Sequence, residues 1–479
     1  MTLTDSYKMG HWQQYPEGTE VVYSYFESRT GAKFDKTVFA GLQYFMKEYL
    51  EGVVITQEKI DQAFNLASGH FLNDQIFNRQ MFQYILDVHG GKLPIRIKAV
   101  PEGTPVPTSN VLMTVENTDP KVYALTNYLE TLLTQVWHAS TVASLSRKAK
   151  VIMKNFLTIT SDNPVVPLMY QLHDFGMRGV SSMESAGVGG MGHIINFFGT
   201  DTVNALEVAM DYYGATEVPA NSVIATEHSV MTAEGPEGEK NVLKRVLDNY
   251  PVGIVSIVSD SYNIENFVKN YIGKDFKEQI LSRNHDTIPT KVVIRPDSLR
   301  FKEDTPHEQM VWLAQQLWKD FGGTINKKGY KVLDPHIGLI WGDGIDLDGI
   351  VLILEAIEEA GFSTENVVFG MGGGLLQKIN RDTQRFAFKS SAQKRNGEWV
   401  DVYKKPLDES KASKKGRLAL LRDGDQFETF AYDMPKFVRR KDVLETVFEN
   451  GKVVKEYTFD EVRANAEVGK VNNRDNAVA

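Results

Sequence analysis

From about residue 165 onward, charged side chains recur, each following a short apolar run. They are residue types that bind anions, exchange protons or stabilise charge, so their repetition predicts a site for polar chemistry. For any single one a structural role stays open, since Asp201 and Asp260 also stand where a helix N-cap belongs. The residues are Asp174 with Phe175, Asp201, His228, Asp260, Arg295 with Asp297, and Asp343.

Three consecutive glycines follow the last of these runs, in GMGGGLLQK (370–378). Backbone N–H groups of such a turn, with the first turn of a following helix, cradle phosphate groups. Arg381, Arg385 and Lys389 come soon afterwards and add positive charge. The pattern predicts a phosphate site, although a glycine run also serves as an ordinary turn. A second basic stretch, SKKGR (413–417), is by itself typical of a solvated surface.

The letters DFG at 174–176 raise the alternative of a protein kinase, in which this aspartate holds magnesium. The surrounding sequence excludes that class. No glycine-rich loop with a VAIK strand precedes the motif, no HRD loop lies upstream, and the chain runs directly into MRG without an APE element. A Walker A sequence and the HExxH pattern of zinc peptidases are absent as well.

The apolar runs that carry these residues predict a parallel sheet. Each is short, rich in β-branched residues and followed by an amphipathic helical stretch, as in repeated βα units. The runs lack strict alternation, which indicates burial on both faces. Seven runs, or eight if FAFKSSA (386–392) joins them, favour a (β/α) barrel, in which the carboxyl ends of the strands meet at one mouth. The seven are residues 165–176, 194–201, 222–229, 252–260, 291–297, 337–343 and 366–374.

The two chain ends lack this rhythm and mix strand and helix patterns, such as PIRIKAV and VLMTVEN. We expect residues 1–150 and 386–479 to form one flanking domain beside a barrel domain at 151–385. The predicted fold class is therefore α/β: an irregular (β/α) barrel with a flanking α+β domain built from both chain ends. Three glycines that follow amphipathic segments fit left-handed helix C-caps: Gly214, Gly273 and Gly361.

The composition excludes several classes of protein. The 479 residues include no cysteine, which rules out disulfides, a thiolate nucleophile and cysteine-ligated metals. A formal net charge of −9 argues against nucleic acid or an anionic membrane as a partner. The N-terminal segment has no apolar signal region, and the runs GIVSIV and IVLILEAI are too short to span a bilayer. We expect a cytoplasmic protein that binds small molecules.

Taken together, the motifs closely resemble the nicotinate/nicotinamide phosphoribosyltransferase family, and within it the nicotinamide phosphoribosyltransferases. The resemblance implies a type II phosphoribosyltransferase barrel. It also implies synthesis of nicotinamide mononucleotide and pyrophosphate from nicotinamide and phosphoribosyl pyrophosphate in NAD salvage, with Mg²⁺ as cofactor and ATP as co-substrate. The motifs run in order along nearly the whole chain: DSYKMGHWQQYPEGTEVVYSYFESR, HDFGMRGVSSMESAG, NFFGTDT, EHSV, VSDSYN, IRPDS, GDGID, FGMGGGLLQK and SKKGRL.

The resemblance assigns roles to individual residues but leaves the magnesium ligands unassigned. Phe175 would stack on one face of the pyridine ring and the partner subunit's Tyr7 on the other, in a homodimer with shared active sites. Asp201 would accept a hydrogen bond from the carboxamide, and His228 would be transiently phosphorylated by ATP. Arg178 would contact the ring and the 5′-phosphate, and Arg295 and Asp297 would contact nicotinamide-side and ribose groups, supported by Asp260 and Ser256. The residues implied to bind ribose and phosphate are Gly342, Asp343, Gly372 and Gly373. Those implied to bind pyrophosphate or the phosphates of ATP are Arg29, Arg381 and Lys389.

The implied chemistry suits these residue types. Displacement of pyrophosphate from ribose C1 develops oxocarbenium character, which needs carboxylates near the sugar and cations around the leaving group. A carboxylate at Asp201 accepts from an amide but repels the carboxylate of nicotinate, which predicts selection of the amide. Two alternatives stay open: a nicotinate phosphoribosyltransferase, and a non-catalytic barrel that binds phosphorylated metabolites.

Overall fold

The computed structural model describes residues 1–405, 412–432 and 441–468. Within them the chain forms two compact units. The boundaries predicted at residues 150 and 385 stay a prediction. The barrel unit contains Ser146–Leu206, Val218–Lys378 and Val468, and the flanking unit contains Met1–Leu145, Glu207–Glu217 and the described part of Ile379–Glu467.

A parallel sheet of seven strands forms the centre of the barrel unit. The strands fall within the seven predicted runs and lie in chain order around the sheet, so the predicted α/β fold is confirmed. A bridge between Gly199 and Asn221 links the two edges, because the sheet curls. The strands are β1 (Leu172–Asp174), β2 (Gly199–Thr200), β3 (Ile224–Ala225), β4 (Ile254–Val258), β5 (Lys291–Arg295), β6 (Ile337–Trp341) and β7 (Val367–Met371).

The first two strands are shorter than the apolar runs that predicted them. The start of the first run, Val165–Tyr170, is a helix, and the second run begins at the end of the helix Met183–Ile194. A short apolar run fits a buried helix as well as a buried strand, so periodicity alone did not separate them.

The eighth barrel strand that FAFKSSA offered is wrong. Phe386–Arg395 pairs antiparallel with Thr19–Ser28 and belongs to the flanking unit. Phe386 and Phe388 are buried while Lys389 is exposed, which is the partial alternation of a sheet with one solvated face.

An antiparallel sheet of seven strands forms the flanking unit and joins both ends of the chain, as predicted. The segments PIRIKAV and VLMTVEN supply two adjacent strands of it. In spatial order the strands are Glu398–Asp401, Phe386–Arg395, Thr19–Ser28, Val111–Asn117, Ile95–Ala99, Glu445–Glu449 and Lys452–Val453. Among the described residues, three two-stranded sheets accompany the two large ones: Lys36–Val38 with Pro105–Pro107, Gly323–Ile325 with Lys331–Leu333, and Leu418–Asp423 with Gln426–Ala431.

Helices connect the barrel strands, and two of the three predicted glycine stops are confirmed. Gly214 (φ 60°) and Gly361 (φ 77°) have the left-handed backbone of a C-cap. Gly273 does not end its helix, because the turns continue to Asp275. A Cβ there would lie 2.5 Å from the Asp320 carboxylate, so the helix packs closely against that side chain at this glycine. The main barrel-unit helices are Met183–Ile194, Gly235–Asn249, Phe267–Asp275, Pro306–Phe321 and Leu347–Glu359.

The remaining long helices are Gln57–Phe71 and Arg79–His89 in the flanking unit, Trp137–Thr160 and Val203–Tyr213. Shorter helical segments occupy Ser6–Gln13, Leu42–Phe45, Met46–Leu50, Pro120–Val122, Leu125–Tyr128, Glu130–Thr134, Val165–Tyr170, Met177–Gly179, His228–Met231, Ile264–Asn266, Lys277–Ser282, Thr364–Asn366, Gly373–Leu376 and Phe459–Ala466. Among the described residues, no helix combines the length and apolar character needed to cross a bilayer.

Candidate active site

Phe175 follows β1, and its ring covers the backbone of β7. The N–H of Phe175 donates to the carbonyl of Met371 at 3.0 Å. A Cβ on Gly370 would lie 1.9 Å from the ring, so only glycine leaves room for Phe175 here. Gly342, directly after β6, also borders the ring, because a Cβ on this glycine would lie 3.5 Å from a ring atom of Phe175. The phenyl ring therefore lies at a rim formed by three strand ends.

Asp174 is buried and ties the end of β1 to the end of β2. Its Oδ1 accepts from the N–H of Gly176 at 2.7 Å, and its Oδ2 accepts from Thr200 Oγ1 at 3.5 Å. Its backbone carbonyl accepts from the N–H of Asp201 at 2.9 Å. Burial raises the pKa of Asp174 to about 6. Asp174 thus holds the turn that carries Phe175 and fixes the backbone of Asp201.

Asp201 directly follows β2 and is exposed at the rim. Ser222 donates a hydrogen bond to its Oδ1. The next helix, Val203–Tyr213, begins two residues later, so the N-cap alternative for Asp201 is wrong. An exposed carboxylate is accessible to a donor on a ligand.

The imidazole of His228 follows β3 and lies between two carboxylates. Its Nε2 is 3.3 Å from Oδ1 of Asp260, and its Nδ1 is 3.9 Å from Oδ2 of Asp297. The His228 side chain is 48 % exposed, whereas that of Asp260 is 5 % exposed. The ring therefore combines a buried acidic neighbour with access to solvent.

Asp260 accepts a hydrogen bond from Ser298 and does not cap a helix. Ser298 donates to its Oδ2 at 2.5 Å. The next helix has Asn263 as its N-cap, so the capping alternative for Asp260 is wrong. With Ser298 bonded to one oxygen, Asp260 presents its other oxygen to His228.

Arg295 ends β5 and is held from two sides. Its Nη2 donates to the carbonyl of Thr226 at 2.6 Å, and its Nε lies 3.7 Å from Oδ1 of Asp297. The pKa of Asp297 is raised, chiefly by burial. Arg295 opposes this increase, whereas the nearby carboxylates Asp260 and Asp343 add to it. The rim therefore concentrates negative charge that a cation or a cationic reaction centre would relieve.

The glycine loop after β7 is followed by one helical turn, Gly373–Leu376, with Gly372 as its N-cap. The helix expected after the glycines is thus a single turn. A Cβ on Gly374 would lie 2.8 Å from the carbonyl oxygen of Ile345, so glycine keeps this loop close to the loop after β6. Asp343 is exposed in that second loop. Arg178 lies in the short turn Met177–Gly179 after Phe175.

Buried polar atoms without a hydrogen-bond partner gather at the ends of β4 and β5 within the described part of the chain. Buried polar groups are normally bonded, so such a cluster at strand ends is typical of a site that a ligand completes. The atoms are Oγ of Ser256, Ser259 and Ser261, Oδ1 of Asp260 and Nε of Arg295.

In the flanking unit, Arg29 follows the strand Thr19–Ser28 and belongs to a charge network. Its Nε lies 3.4 Å from Oε1 of Glu27, and Lys414 pairs with the other oxygen of Glu27. The backbone N–H of Lys414 donates to the hydroxyl of Tyr25 at 2.8 Å. The SKKGR stretch therefore contributes at least one side chain to a partly buried network and is not only a solvated surface.

Lys389 lies among further cations of the same unit. Partial burial lowers its pKa, Glu130 opposes this, and Arg29, Arg381 and Lys8 lower the pKa further. Lys8 is 5 % exposed and pairs with Glu130 at 2.7 Å. The sequence-predicted phosphate residues of this unit thus lie close enough to influence one another, which favours binding of an anion.

Tyr7 belongs to the 3₁₀ segment Ser6–Gln13 and is 59 % exposed. Its ring contacts His11 edge-on at 5.0 Å between ring centroids. An exposed aromatic ring is accessible to a ligand or to another chain.

Sequence reasoning missed several members of these networks. Lys8 had one signal, its place beside Tyr7 in the DSYK motif, and Glu27 had another in FESR. Ser298 lies in the motif IRPDS and Lys414 in SKKGRL, so the motifs could have pointed to both, whereas Glu130 carried no local signal that separates it from surface residues. Their roles depend on partners far away in the sequence.

Comparisons with known proteins agree with this architecture. The nicotinate phosphoribosyltransferase (NAPRTase) family matches residues 170–452, and the nicotinamide phosphoribosyltransferase N-terminal domain matches residues 1–97. A nicotinamide phosphoribosyltransferase of Xanthomonas campestris pv. campestris is 45 % identical over 98 % of this chain and 98 % of its own length. One of Acinetobacter baylyi is 36 % identical over 97 % of this chain and 96 % of its own length.

Solved structures support the fold. A nicotinate-nucleotide pyrophosphorylase from Pyrococcus furiosus aligns with a TM-score of 0.58 at 14 % identity, covering 97 % of this chain and 93 % of its own. Human nicotinic acid phosphoribosyltransferase aligns with a TM-score of 0.57 at 14 % identity, covering 97 % of this chain and 92 % of its own. The predicted type II phosphoribosyltransferase fold is therefore confirmed. The chain is a pentosyltransferase that belongs to the nicotinate phosphoribosyltransferase family and groups within it with the nicotinamide phosphoribosyltransferases.

Proposed function

We propose that the protein transfers the phosphoribosyl group of phosphoribosyl pyrophosphate to nicotinamide, giving nicotinamide mononucleotide and pyrophosphate in NAD salvage. The position of Asp201 carries the proposal. Its exposed carboxylate follows β2, and its backbone is bonded to Asp174, the residue before Phe175. A carboxylate at this strand end accepts from the amide of nicotinamide and repels the acid of nicotinate. The names of the similar bacterial enzymes support the same substrate.

In this proposal the pyridine ring lies against Phe175. The partner subunit's Tyr7 covers the other face, which accounts for the 59 % exposure of that side chain in a single chain. Two aromatic faces stabilise the pyridinium ring of the product through its attraction to their quadrupoles. Arg178, in the turn after Phe175, faces the ring and the 5′-phosphate.

The ribose lies at the acidic part of the rim. Asp297, with Asp260 behind it, stabilises the positive charge that develops at C1 as pyrophosphate leaves. Arg295 orients Asp297, since its Nε lies 3.7 Å from that carboxylate. Hydroxyl, carboxylate and backbone groups at neighbouring strand ends bind ribose and phosphate: Ser256, Gly342, Asp343, Gly372 and Gly373.

Pyrophosphate and the phosphates of ATP bind to the cations of the flanking unit, Arg29, Arg381 and Lys389. An anion there raises the pKa of Lys389, which partial burial and its cationic neighbours lower. Sharing of sites between subunits requires a homodimer. Sedimentation that gives a monomer with full activity would rule out that requirement.

Because the proposed substrates are intracellular metabolites, a cytoplasmic location agrees with the proposal.

ATP acts in this proposal through His228, which accepts a phosphoryl group and couples ATP hydrolysis to synthesis. A half-exposed imidazole with a carboxylate 3.3 Å from Nε2 has the access and the orientation that this role needs. The carboxylate of Asp260 orients the ring from the side of Nε2.

The residues present fit a magnesium ion bound together with substrate. No group of three or more His, Cys, Asp or Glu side chains able to hold a metal occurs in the described ranges. Mg²⁺ with phosphorylated substrates commonly takes one or two carboxylates and completes its shell with phosphate oxygens and water. Asp297 and Asp343, which are close enough to influence each other, would supply those carboxylates. When bound, the ion would neutralise charge on the leaving pyrophosphate.

The test is to incubate the protein with phosphoribosyl pyrophosphate and Mg²⁺, offering nicotinamide or nicotinate, with and without ATP, and to quantify both mononucleotides. We expect nicotinamide mononucleotide, with a higher yield in the presence of ATP. Nicotinate mononucleotide as the main product would contradict the substrate assignment.

The D201N variant tests the selective group. We expect the preference for nicotinamide over nicotinate, measured as the ratio of kcat/KM values, to fall at least about tenfold because the repulsion of nicotinate is lost. S222A is the matched control, since it removes the hydrogen bond to Oδ1 but keeps the carboxylate. An unchanged ratio in D201N would exclude Asp201 as the selecting residue.

A further inference from the structure

A cavity of about 160 Å³ lies in the flanking unit, where several of its helical segments meet. Protein interiors are close-packed, so a void of this size lowers stability in proportion to its volume, and a molecule that fills it restores the missing contacts. The proposed reaction uses none of the wall residues. The inner wall consists of apolar side chains that are themselves buried: Leu50, Ile55, Phe82, Leu93, Leu125 and Leu132.

Aromatic and branched aliphatic groups form the contact surface of the cavity. The rings of Phe82 and Tyr128 meet edge to face, with centroids 5.2 Å apart. The hydroxyl of Tyr128 donates to the carbonyl of Met1 at 2.9 Å, so the polar end of this side chain is already bonded. A cavity of roughly 150 Å³ with Leu, Ile and Phe walls stays dry and binds benzene. The cavity therefore has the size and the walls for one small ring.

The charged groups that line the cavity are exposed at its edge and already engaged. Lys59 Nζ donates to the carbonyl of Val54 at 3.2 Å, and Glu48 accepts from the hydroxyl of Tyr212 at 2.6 Å. Burial lowers the pKa of the α-amino group of Met1, and the charge of Lys59 adds to the decrease. These surroundings disfavour a further charge, so the occupant that fits is neutral.

One wall of the cavity also anchors the segment that carries Tyr7. Residues 125–134 turn Leu125, Tyr128, Leu129 and Leu132 towards the cavity. An occupant that fixes this wall therefore also fixes residues 4–8. Three contacts tie that segment to the wall: Thr4 Oγ1 with the carbonyl of Tyr128 at 2.8 Å, Thr131 Oγ1 with Oδ2 of Asp5 at 2.7 Å, and Lys8 Nζ with Oε2 of Glu130 at 2.7 Å.

We propose that this cavity is a binding site for a small, neutral, apolar molecule and that its occupation stabilises residues 4–8 against local opening. The fitting occupant is a single aromatic ring or a branched hydrocarbon of similar size. A ligand that binds only the closed wall stabilises it by mass action. The regulatory value of the site rests on the proposed role of Tyr7, whereas binding and stabilisation do not depend on that role.

The first experiment uses benzene as the probe, with benzoate and benzylamine as charged molecules that carry the same ring. The full-length protein is labelled with ¹³C at the isoleucine δ1-methyl groups, and I55V and I159V assign two signals by their loss. We expect a saturable shift of the Ile55 signal with benzene and no shift of the exposed Ile159. Benzoate and benzylamine should bind at least about tenfold more weakly. No saturable shift with benzene, or equal binding of the charged rings, would overturn the proposal.

The L132F variant tests the location, because its larger side chain fills the cavity. L66F is the matched control, since it makes the same substitution at an exposed position of the same unit. We expect L132F to weaken benzene binding at least about tenfold and L66F to leave it unchanged. Equal affinities of L132F and the parent would overturn the site. If thermal unfolding shows that L132F does not fold, the comparison of benzene with the charged rings in the parent decides.

Hydrogen exchange tests the coupling to residues 4–8. The N–H of Lys8 donates to the carbonyl of Asp5 at 3.0 Å and exchanges when the segment opens. At about ten times the Kd of benzene, its exchange should slow about tenfold, because opening releases the ligand. The amide of Gly361, in the barrel unit, is the control.

An unchanged exchange rate of Lys8 in benzene-saturated protein would overturn the coupling. The KM for nicotinamide separates this inference from the proposed function. We expect it to fall when benzene is bound, because the segment of Tyr7 is then ordered in advance. Slower exchange with an unchanged KM would contradict the role of Tyr7 and leave the site in place.

Discussion

Glu102 in the flanking unit and Glu239 in the barrel unit are both buried, at 2 % and 3 % exposure, but their surroundings differ. Glu102 accepts hydrogen bonds on both oxygens: from the N–H of Gln43 at 2.6 Å, from the N–H of Gly41 at 2.7 Å and from the hydroxyl of Tyr213 at 2.8 Å. The Oε1 atom of Glu239 has no hydrogen-bond partner in the described ranges.

The difference separates a structural carboxyl group from one that is available for chemistry. The donors around Glu102 fix a left-handed turn at Gly41 (φ 97°) and leave no oxygen free for another role. Glu239 contributes no comparable bond from Oε1, so burial costs it stability and leaves it sensitive to the charge of its neighbours. Replacement by glutamine should therefore have opposite effects at the two positions.

The largest effect is expected for E102Q. The amide NH₂ of glutamine would face at least one N–H donor and leave both without an acceptor, so the free energy of unfolding should fall by about 3 kcal/mol. Thermal and urea unfolding would measure the change, with E58Q, at an exposed helix position, as the control. A stability equal to that of the parent would contradict the structural role of Glu102.

An opposite and pH-dependent effect is expected for E239Q. The pKa of Glu239 in the folded protein, about 7, lies above the ordinary value of a glutamate, so the folded state binds more protons between the two values. The parent protein therefore loses stability as the pH rises through 7, and E239Q does not.

We expect E239Q to match the parent at low pH and to exceed it by about 2 kcal/mol in the free energy of unfolding at pH 8. Thermal unfolding at several pH values checks this, with E237Q as the control. A difference that stays constant with pH would show that Glu239 does not titrate in this range.

The smallest effect is expected for Y213F, which removes one of the donors to Glu102 and keeps the buried ring. The loss should be about 1 kcal/mol, since the two backbone N–H groups still bond the carboxylate. If E102Q is measured in the Y213F background, its cost should be smaller than in the parent, because the two changes share one hydrogen bond. Strict additivity would contradict the shared network.

The sequence predicted the barrel well because its signals are local. Each strand of the parallel sheet is a compact apolar run, and the residue that follows it faces the mouth, so Asp201, His228 and Asp260 could be named from position alone. The same local signals failed where a short apolar run fits either a strand or a buried helix, as at Val165–Tyr170, which is a helix. They also failed at Gly273, where the glycine serves a close contact with Asp320 and not a helix end.

The buried charges could not be predicted in this way. In the sequence, GPEGEKNVLKRVLDN is a charged, amphipathic helix in which Glu239 looks like any solvated glutamate. SKKGR likewise looks like a surface run, yet Lys414 pairs with Glu27, which is 387 residues away.

The sequence alone thus determined the order of the strands, the residues at their ends and, through the ordered motifs, the family. Tertiary structure alone decided which charged groups are buried together and which of them are left without a partner. The physical reason is that the free energy of a charge depends on its solvation and on neighbours within a few ångströms, and those are set by chain segments far apart in sequence.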